Sequence, residues 1–330
     1  MADNGQSYPV RSIAECNAML TAPGAKFELE EIEIRGVRHE IYKHAPLTIR
    51  QILEDARPLD KREFFVFEDE RVDFGSFHKA CAHLAVALQE KFGVVKGDRI
   101  AIAARNYPQW PPSFFAAVSI GAIATPLNSW WKGEELAYGL RDSGAKVVFV
   151  DAERLDIIAP HFDELPDLKH VVVMRGGKND PDPRVTSMED IIGPVAEWSS
   201  LEDIDLPAAD VQPDDDSTIL YTSGTTGQPK GAVGSHRACI TNLFHALSCQ
   251  ARSFLRKGEV PPVHDPAGPI QRVALVAIPL FHATGCYANM LAAVMRGDKL
   301  VTMYRWNVEE ALQVIQDEKV TTIGGVPAIA

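Results

Sequence analysis

The chain has 330 residues, too many for one small core and suited to about two domains of roughly 150 residues each. Hydrophobic residues at 46% and charged residues at 24% fit a folded globular chain and exclude a disordered or collagen-like one. With 33 Lys and Arg against 45 Asp and Glu, the net charge of −12 opposes a nucleic-acid backbone or an anionic lipid surface as partner.

The first ten residues, MADNGQSYPV, lack the basic patch and apolar core of a signal peptide, so a cytoplasmic location is expected. Residues 64–67 and 71–74 flank a polar turn and predict a hairpin, followed by a helix with Ser76 as N-cap and Phe77, Cys81, Leu84 and Leu88 on one face. Residues 99–104 (RIAIAA), 146–150 (KVVFV) and 170–174 (HVVVM) read as buried strands, and 110–120, 134–141 and 153–161 as helices. That alternation predicts an α/β chain with two mostly parallel sheets flanked by helices. The uncharged stretches 106–131 and 273–295 are broken by prolines, so neither is expected to span a membrane. Cys16, Cys81, Cys239, Cys249 and Cys286 contain no C-x-x-C pair and predict reduced thiols.

Residues 201–216 carry Glu202, Asp203, Asp205, Asp210, Asp214, Asp215 and Asp216 without Lys or Arg, and read as a solvated linker. Residues 252–271, with four prolines, read as a mobile surface excursion. Residues 320–323 predict a strand, and 326–330 open a helix that has no cap when the sequence stops. A piece of a longer polypeptide is the expectation.

A predicted strand, 217–221 (STILY), runs into TSGTTGQPKG at 222–231. Glycines allow close backbone approach, hydroxyls add donors and Lys230 adds a mobile charge, which together suit a polyphosphate. Nine specified positions, each at roughly 6% background, make a chance match on the order of one in a hundred million. The G-x-x-x-x-G-K-[ST] spacing of a kinase or GTPase loop is absent, and residues 232–233 extend a strand before the next helix near Ser235.

At Tyr221 to Gly231 (YTSGTTGQPKG) the chain resembles the adenylate-forming superfamily of acyl-CoA synthetases, aryl-CoA ligases, firefly luciferase and peptide-synthetase adenylation domains. VVKGDR at 94–99 and Asn106 extend the likeness. The resemblance implies that Thr222, Ser223, Gly224, Thr225, Thr226, Gly227 and Lys230 hold the β- and γ-phosphates of ATP, with Thr222 on Mg²⁺ and Lys230 offsetting charge as pyrophosphate leaves. It further implies that His282, in PLFHATG at 279–285, gates the passage between the ATP and acyl pockets, and that Arg305 touches the phosphates of coenzyme A. Amino-acid-activating members tend to place an aspartate at the His282 position to pair an ammonium. The substrate implied is therefore a fatty, aromatic or polycyclic carboxylic acid without an α-amine.

By the same resemblance, residues 1–330 form a partial N-terminal adenylation domain. Residues 75–250 would make a first α/β subdomain with the phosphate loop at 221–231, and 1–74 with 271–330 a second. The adenine- and ribose-binding motifs and a C-terminal lid are expected beyond residue 330. An acyl-AMP ligase serving a carrier protein and a non-catalytic nucleotide-binding fragment are the alternatives, and a homo-oligomer is left open.

Overall fold

The computed structural model describes residues 8–175, 181–222 and 227–324. Two antiparallel hairpins come first, β1 (Leu29–Ile34) with β2 (Val37–Tyr42) and β3 (Glu63–Phe67) with β4 (Glu70–Asp73). Then follow β5 (Arg99–Ala103), β6 (Ile123–Pro126), β7 (Ala145–Asp151), β8 (His170–Met174), β9 (Val185–Ser187), β10 (Asp216–Thr222) and β11 (Lys230–Ser235). The last are β12 (Val273–Val276), β13 (Lys299–Thr302) and β14 (Thr322–Gly324). Among the described residues, one sheet has the order β11-β10-β6-β5-β7-β8-β9, parallel except at β10–β11; the other has the order β14-β12-β13-β3-β4, parallel except at β3–β4.

The strand sequences explain this arrangement. Ile100 to Ala103, Val147 to Asp151 and Val171 to Met174 are buried at every position, so both faces of the first sheet must be covered by helices. The helices Phe74–Glu90 and Trp110–Ser119 lie between the sheets, where Phe77, Phe115, Ile100, Phe65 and Leu300 share one core. A second core on the far face of the first sheet joins Val148 and Val150 to Leu136, Leu140 and Leu155. A smaller one behind the second sheet joins Val66, Leu275 and Val301 to Ala311 of the helix Val308–Asp317. The layers therefore alternate helix, sheet, helix, sheet, helix.

Several local expectations shift. The first long helix is capped by Asp73, whose carboxylate accepts from the Ser76 N–H at 2.6 Å, so Ser76 lies inside the first turn. A carboxylate accepts this bond more strongly than a hydroxyl. The acidic stretch is strapped to the surface: Arg57 pairs with Asp203 and Asp205, Lys96 with Asp215 at 2.7 Å, and Arg237 with Asp214. The stretch remains solvated, as expected, with Asp205 92% exposed, and its cations come from distant parts of the chain. The helix entering the proline-rich region continues to Arg256, and the final strand begins at Thr322. Residues 326–330 lie outside the described residues. All five cysteines are free thiols, and no described helix is long and apolar enough to cross a membrane.

Candidate functional site at the strand exits

Strands β5, β6, β10, β12 and β13 all deliver their C-terminal ends to the cleft edge, where an open α/β sheet presents its loops to ligands. Strands β10 and β11 pair up to Thr222 opposite Lys230, so the segment expected to hold phosphates leaves and returns at one point of the sheet edge. Both residues are exposed, and the Thr222 hydroxyl donates to the Lys230 carbonyl at 3.4 Å. Ser223, Gly224, Thr225 and Thr226 lie outside the described residues. Gly227 is exposed with φ +93°, a conformation that favours glycine.

The hairpin is held from behind. The Tyr221 hydroxyl donates to Asp142 at 2.7 Å, and the Tyr138 hydroxyl to the Pro229 carbonyl at 3.1 Å. Burial, reinforced by Asp142, pushes the Tyr221 phenol upward, so it stays a neutral donor. Gly231 is fixed by packing, since a Cβ there would lie 2.7 Å from Ile219 Cγ2.

His282 sits where β12 has ended and the chain turns into a π-helix, Thr284–Leu291. This wider helical form recurs at functional sites. The exposed His282 ring accepts at Nδ1 from the Thr284 N–H at 3.2 Å. Gly285 permits the turn: a Cβ would stand 2.1 Å from the Pro279 carbonyl oxygen. Tyr287 of the same helix shares a 2.6 Å hydrogen bond with Thr218 of β10, tying the histidine-bearing segment to the strand that feeds the phosphate loop.

Asn106, at the exit of β5, crosses to the other sheet. Its Oδ1 accepts from the Leu280 N–H at 2.8 Å, and its Nδ2 donates to the Ile278 carbonyl at 3.1 Å. Thr302 of β13 donates to the Asn106 carbonyl at 2.9 Å. One asparagine thus joins three strand exits.

Beside it lies a cavity of about 380 Å³ lined by Arg105, Asn106, Trp130, Tyr304, Arg305 and Trp306, among others. The Arg105 guanidinium lies 5.4 Å from the Trp130 ring centroid and 5.6 Å from that of Tyr304; Arg305 stands 5.4 Å from the same Tyr304 ring. Behind them the buried Asp151–Arg154 pair fixes the loops: Asp151 accepts from the Arg105 N–H at 3.2 Å, and Arg154 donates to the Ser129 carbonyl at 2.7 Å. Burial, and then the nearby Arg154 cation, lowers the Arg105 pKa. Arg105 Nε and Trp306 Nε1 are buried without a hydrogen-bond partner, two donors that an acceptor-bearing ligand could satisfy.

The structure thus brings Thr222 and Lys230 together, places Arg305 on the wall of a cavity with Arg105, and sets His282 on the adjoining strand exit. Arg105 carries no periodic or motif signal of its own in the sequence; only the meeting of strand ends reveals it. Among the described residues no group of three or more His, Cys, Asp or Glu could hold a metal. The Thr222 hydroxyl is a hard oxygen of the kind Mg²⁺ accepts and is exposed at the strand end.

A family model described as AMP-binding enzyme matches residues 53–330. The chain is 31% identical to the long-chain-fatty-acid–CoA ligase FadD13 of Mycobacterium tuberculosis over 254 residues, which are 76% of this chain and 42% of that protein. It is 28% identical to 4-coumarate–CoA ligase 2 of Oryza sativa over 262 residues, 78% of this chain and 43% of that protein. The inhibitor-bound N-terminal domain of FACL13 from Mycobacterium tuberculosis superposes with a TM-score of 0.62 at 25% identity, covering 86% of this chain and 63% of that one. The chain therefore spans less than half the length of these two curated relatives.

Proposed function

Because the chain belongs to the AMP-binding enzyme family, we propose that it contributes the phosphate loop and acyl gate of an ATP-dependent acid–CoA ligase. A substrate carboxylate oxygen attacks the α-phosphorus of ATP. The bond to the bridging oxygen breaks, pyrophosphate leaves and acyl-AMP remains. The thiol of coenzyme A then attacks the acyl carbon, forming the thioester and releasing AMP.

Lys230 and the hydroxyls of the loop bind the β- and γ-phosphates, and Lys230 balances the charge that builds as pyrophosphate departs. Thr222 would hold Mg²⁺, which supplies charge neutralisation on the phosphates when bound. Thr222, Ser223, Gly224, Thr225, Thr226 and Gly227 form the cradle. His282 borders the acyl carboxylate, and its neutral or cationic ring offers no anion for an α-ammonium. That favours a fatty or aromatic acid, in keeping with the fatty-acid and coumarate ligases among the relatives. Arg305, joined by Arg105, takes the coenzyme A phosphates, and the partnerless donors in their cavity favour a free nucleotide thiol over a carrier protein. Residues 75–250 make one α/β subdomain of this unit, and 1–74 with 271–330 the other.

The single observation that carries the reading is the β10–β11 pair, which returns Lys230 beside Thr222 at the strand-exit edge within the YTSGTTGQPKG sequence. ATP–pyrophosphate exchange across a panel of carboxylic acids, measured on the full-length protein, is the test. Exchange with fatty or aromatic acids, AMP as product and a roughly tenfold or greater loss in Lys230→Ala are expected. Release of ADP, or unchanged exchange in that variant, would refute the assignment.

A further inference from the structure

The segment that carries His282 follows β12 of one sheet, while the segment between Thr222 and Lys230 follows β10 of the other. Attack of a carboxylate on a phosphorus needs the reacting atoms held about 3.5 Å apart and in line, and a misplacement of about 1 Å can cost a hundredfold in rate. Two segments borne by different sheets therefore need a contact that fixes one against the other. Tyr287 and Thr218 make one directly, sharing a hydrogen bond of 2.6 Å between their hydroxyls.

Both ends of that bond are held. Thr218 is fully buried and lies four residues before Thr222, on the same face of β10. Its hydroxyl is enclosed: Cys239 Sγ, from the helix His236–Arg256, stands 3.7 Å away, and a Cβ at Gly234 of β11 would lie 2.9 Å from it and 3.6 Å from the Tyr287 hydroxyl. At the other end, Tyr287 comes five residues after His282, and the Cys286 N–H donates to the His282 carbonyl at 2.8 Å. Gly285 sits so close to the Pro279 carbonyl that the turn and the π-helix cannot slide past one another. Burial pushes the Tyr287 phenol upward, so it keeps its proton. A displacement of Tyr287 thus carries His282 with it.

We infer that Tyr287 and Thr218 are positioning residues for the first half-reaction: their bond keeps the acyl gate in register with the phosphate loop while the carboxylate attacks. The inference rests on the roles given above to His282 and Lys230. The pair acts through β10 and the histidine-bearing turn, not on the reacting atoms. Its loss slows the reaction of bound acid with bound ATP, while each substrate still finds its own side of the cleft. The second half-reaction needs no such register, because pyrophosphate has already left when the coenzyme A thiol attacks acyl-AMP.

The two half-reactions of the full-length protein, measured separately, test this. The probe is dodecanoate or 4-coumarate, or failing both the fastest acid of the exchange panel. Tyr287→Phe and Thr218→Val each lower the single-turnover rate of acyl-AMP formation by about tenfold, with KM for acid and for ATP changed by less than about twofold. Thr218→Ser, which keeps the hydroxyl, stays within about twofold of the parent rate. Thioester formation from supplied acyl-AMP and coenzyme A is unchanged in all three. Thermal melting confirms that each variant is folded at the assay temperature, and if Thr218→Val is not, Tyr287→Phe against Thr218→Ser decides. An unchanged adenylation rate, an equal loss in both half-reactions, a loss confined to KM, or Thr218→Ser as slow as Tyr287→Phe would each overturn the inference and leave the ligase reading standing. A parent protein that forms no acyl-AMP with any acid would overturn both.

Discussion

The two sheets reach the cleft by different routes. The first is assembled from strands that follow one another closely, and its central strands β5, β7 and β8 are buried on both faces. The second brings β3 into register with β13, more than 200 residues later, and β14, at its edge among the described residues, leaves Ile323 49% exposed. One sheet is a scaffold closed by local connections; the other closes only when segments far apart in sequence meet. A site built on both needs a rigid side to hold phosphates and a seam where loops of either sheet meet.

The widest gap between the sheets should appear on truncation. Phe149→Ala in β7 removes a fully buried ring and costs about 4 kcal/mol, whereas Ile323→Ala in β14 costs under about 0.5 kcal/mol. Urea unfolding of the two variants checks this; equal losses would mean that β14 is packed as tightly as the scaffold.

A second contrast is in pH. His236 is fully buried at the start of its helix and accepts at Nδ1 from the Ile49 N–H at 3.2 Å, and burial pushes its pKa down to about 4. A lowered histidine pKa means that the unfolded chain takes up the proton first, so stability is complete above about pH 6.5 and falls as pH drops toward 4. The loss is about 3 kcal/mol at most. It joins the N-terminal helix Ile49–Asp55 to the helix His236–Arg256, so amides of those helices should lose exchange protection first between pH 6.5 and 4.5. A His236→Gln variant whose acid loss equals the parent's would count against this origin.

At the seam, Asn106→Ala leaves the Leu280 N–H and the Ile278 carbonyl without this partner and should cost about 2 kcal/mol. Asn106→Asp sharpens the point: it keeps the acceptor for Leu280 but puts a carboxylate against the Ile278 carbonyl. If both variants melt with the parent, the seam is held by packing alone.

The buried strands were legible because apolar runs such as VVFV have no exposed face to hide. The family was legible because the residues of YTSGTTGQPKG are consecutive, and the family match over residues 53–330 agrees with that resemblance. Arg105, Trp130 and Tyr304 were not, since their shared cavity exists only where β5, β6 and β13 end side by side. The hairpin β1–β2 was missed because only Tyr42 of its strand residues is buried, leaving no apolar run to read. The acidic stretch is solvated as its charge implied, with Asp203, Asp205 and Asp210 largely exposed; its ion pairs with Arg57, Lys96 and Arg237 were not legible because those partners lie far away in sequence.

The carboxamide of Asn106 has a further consequence. Both its arms are spent on the backbone of the opposite sheet, on either side of Pro279. That side chain is thus a cross-tie over the cleft at that level, beside the bond from Thr302 to the Asn106 carbonyl. Any motion that widened the cleft would have to release both arms in a single event. The opening would then behave as a latch with two positions, and the histidine-bearing turn just beyond it would move as one piece.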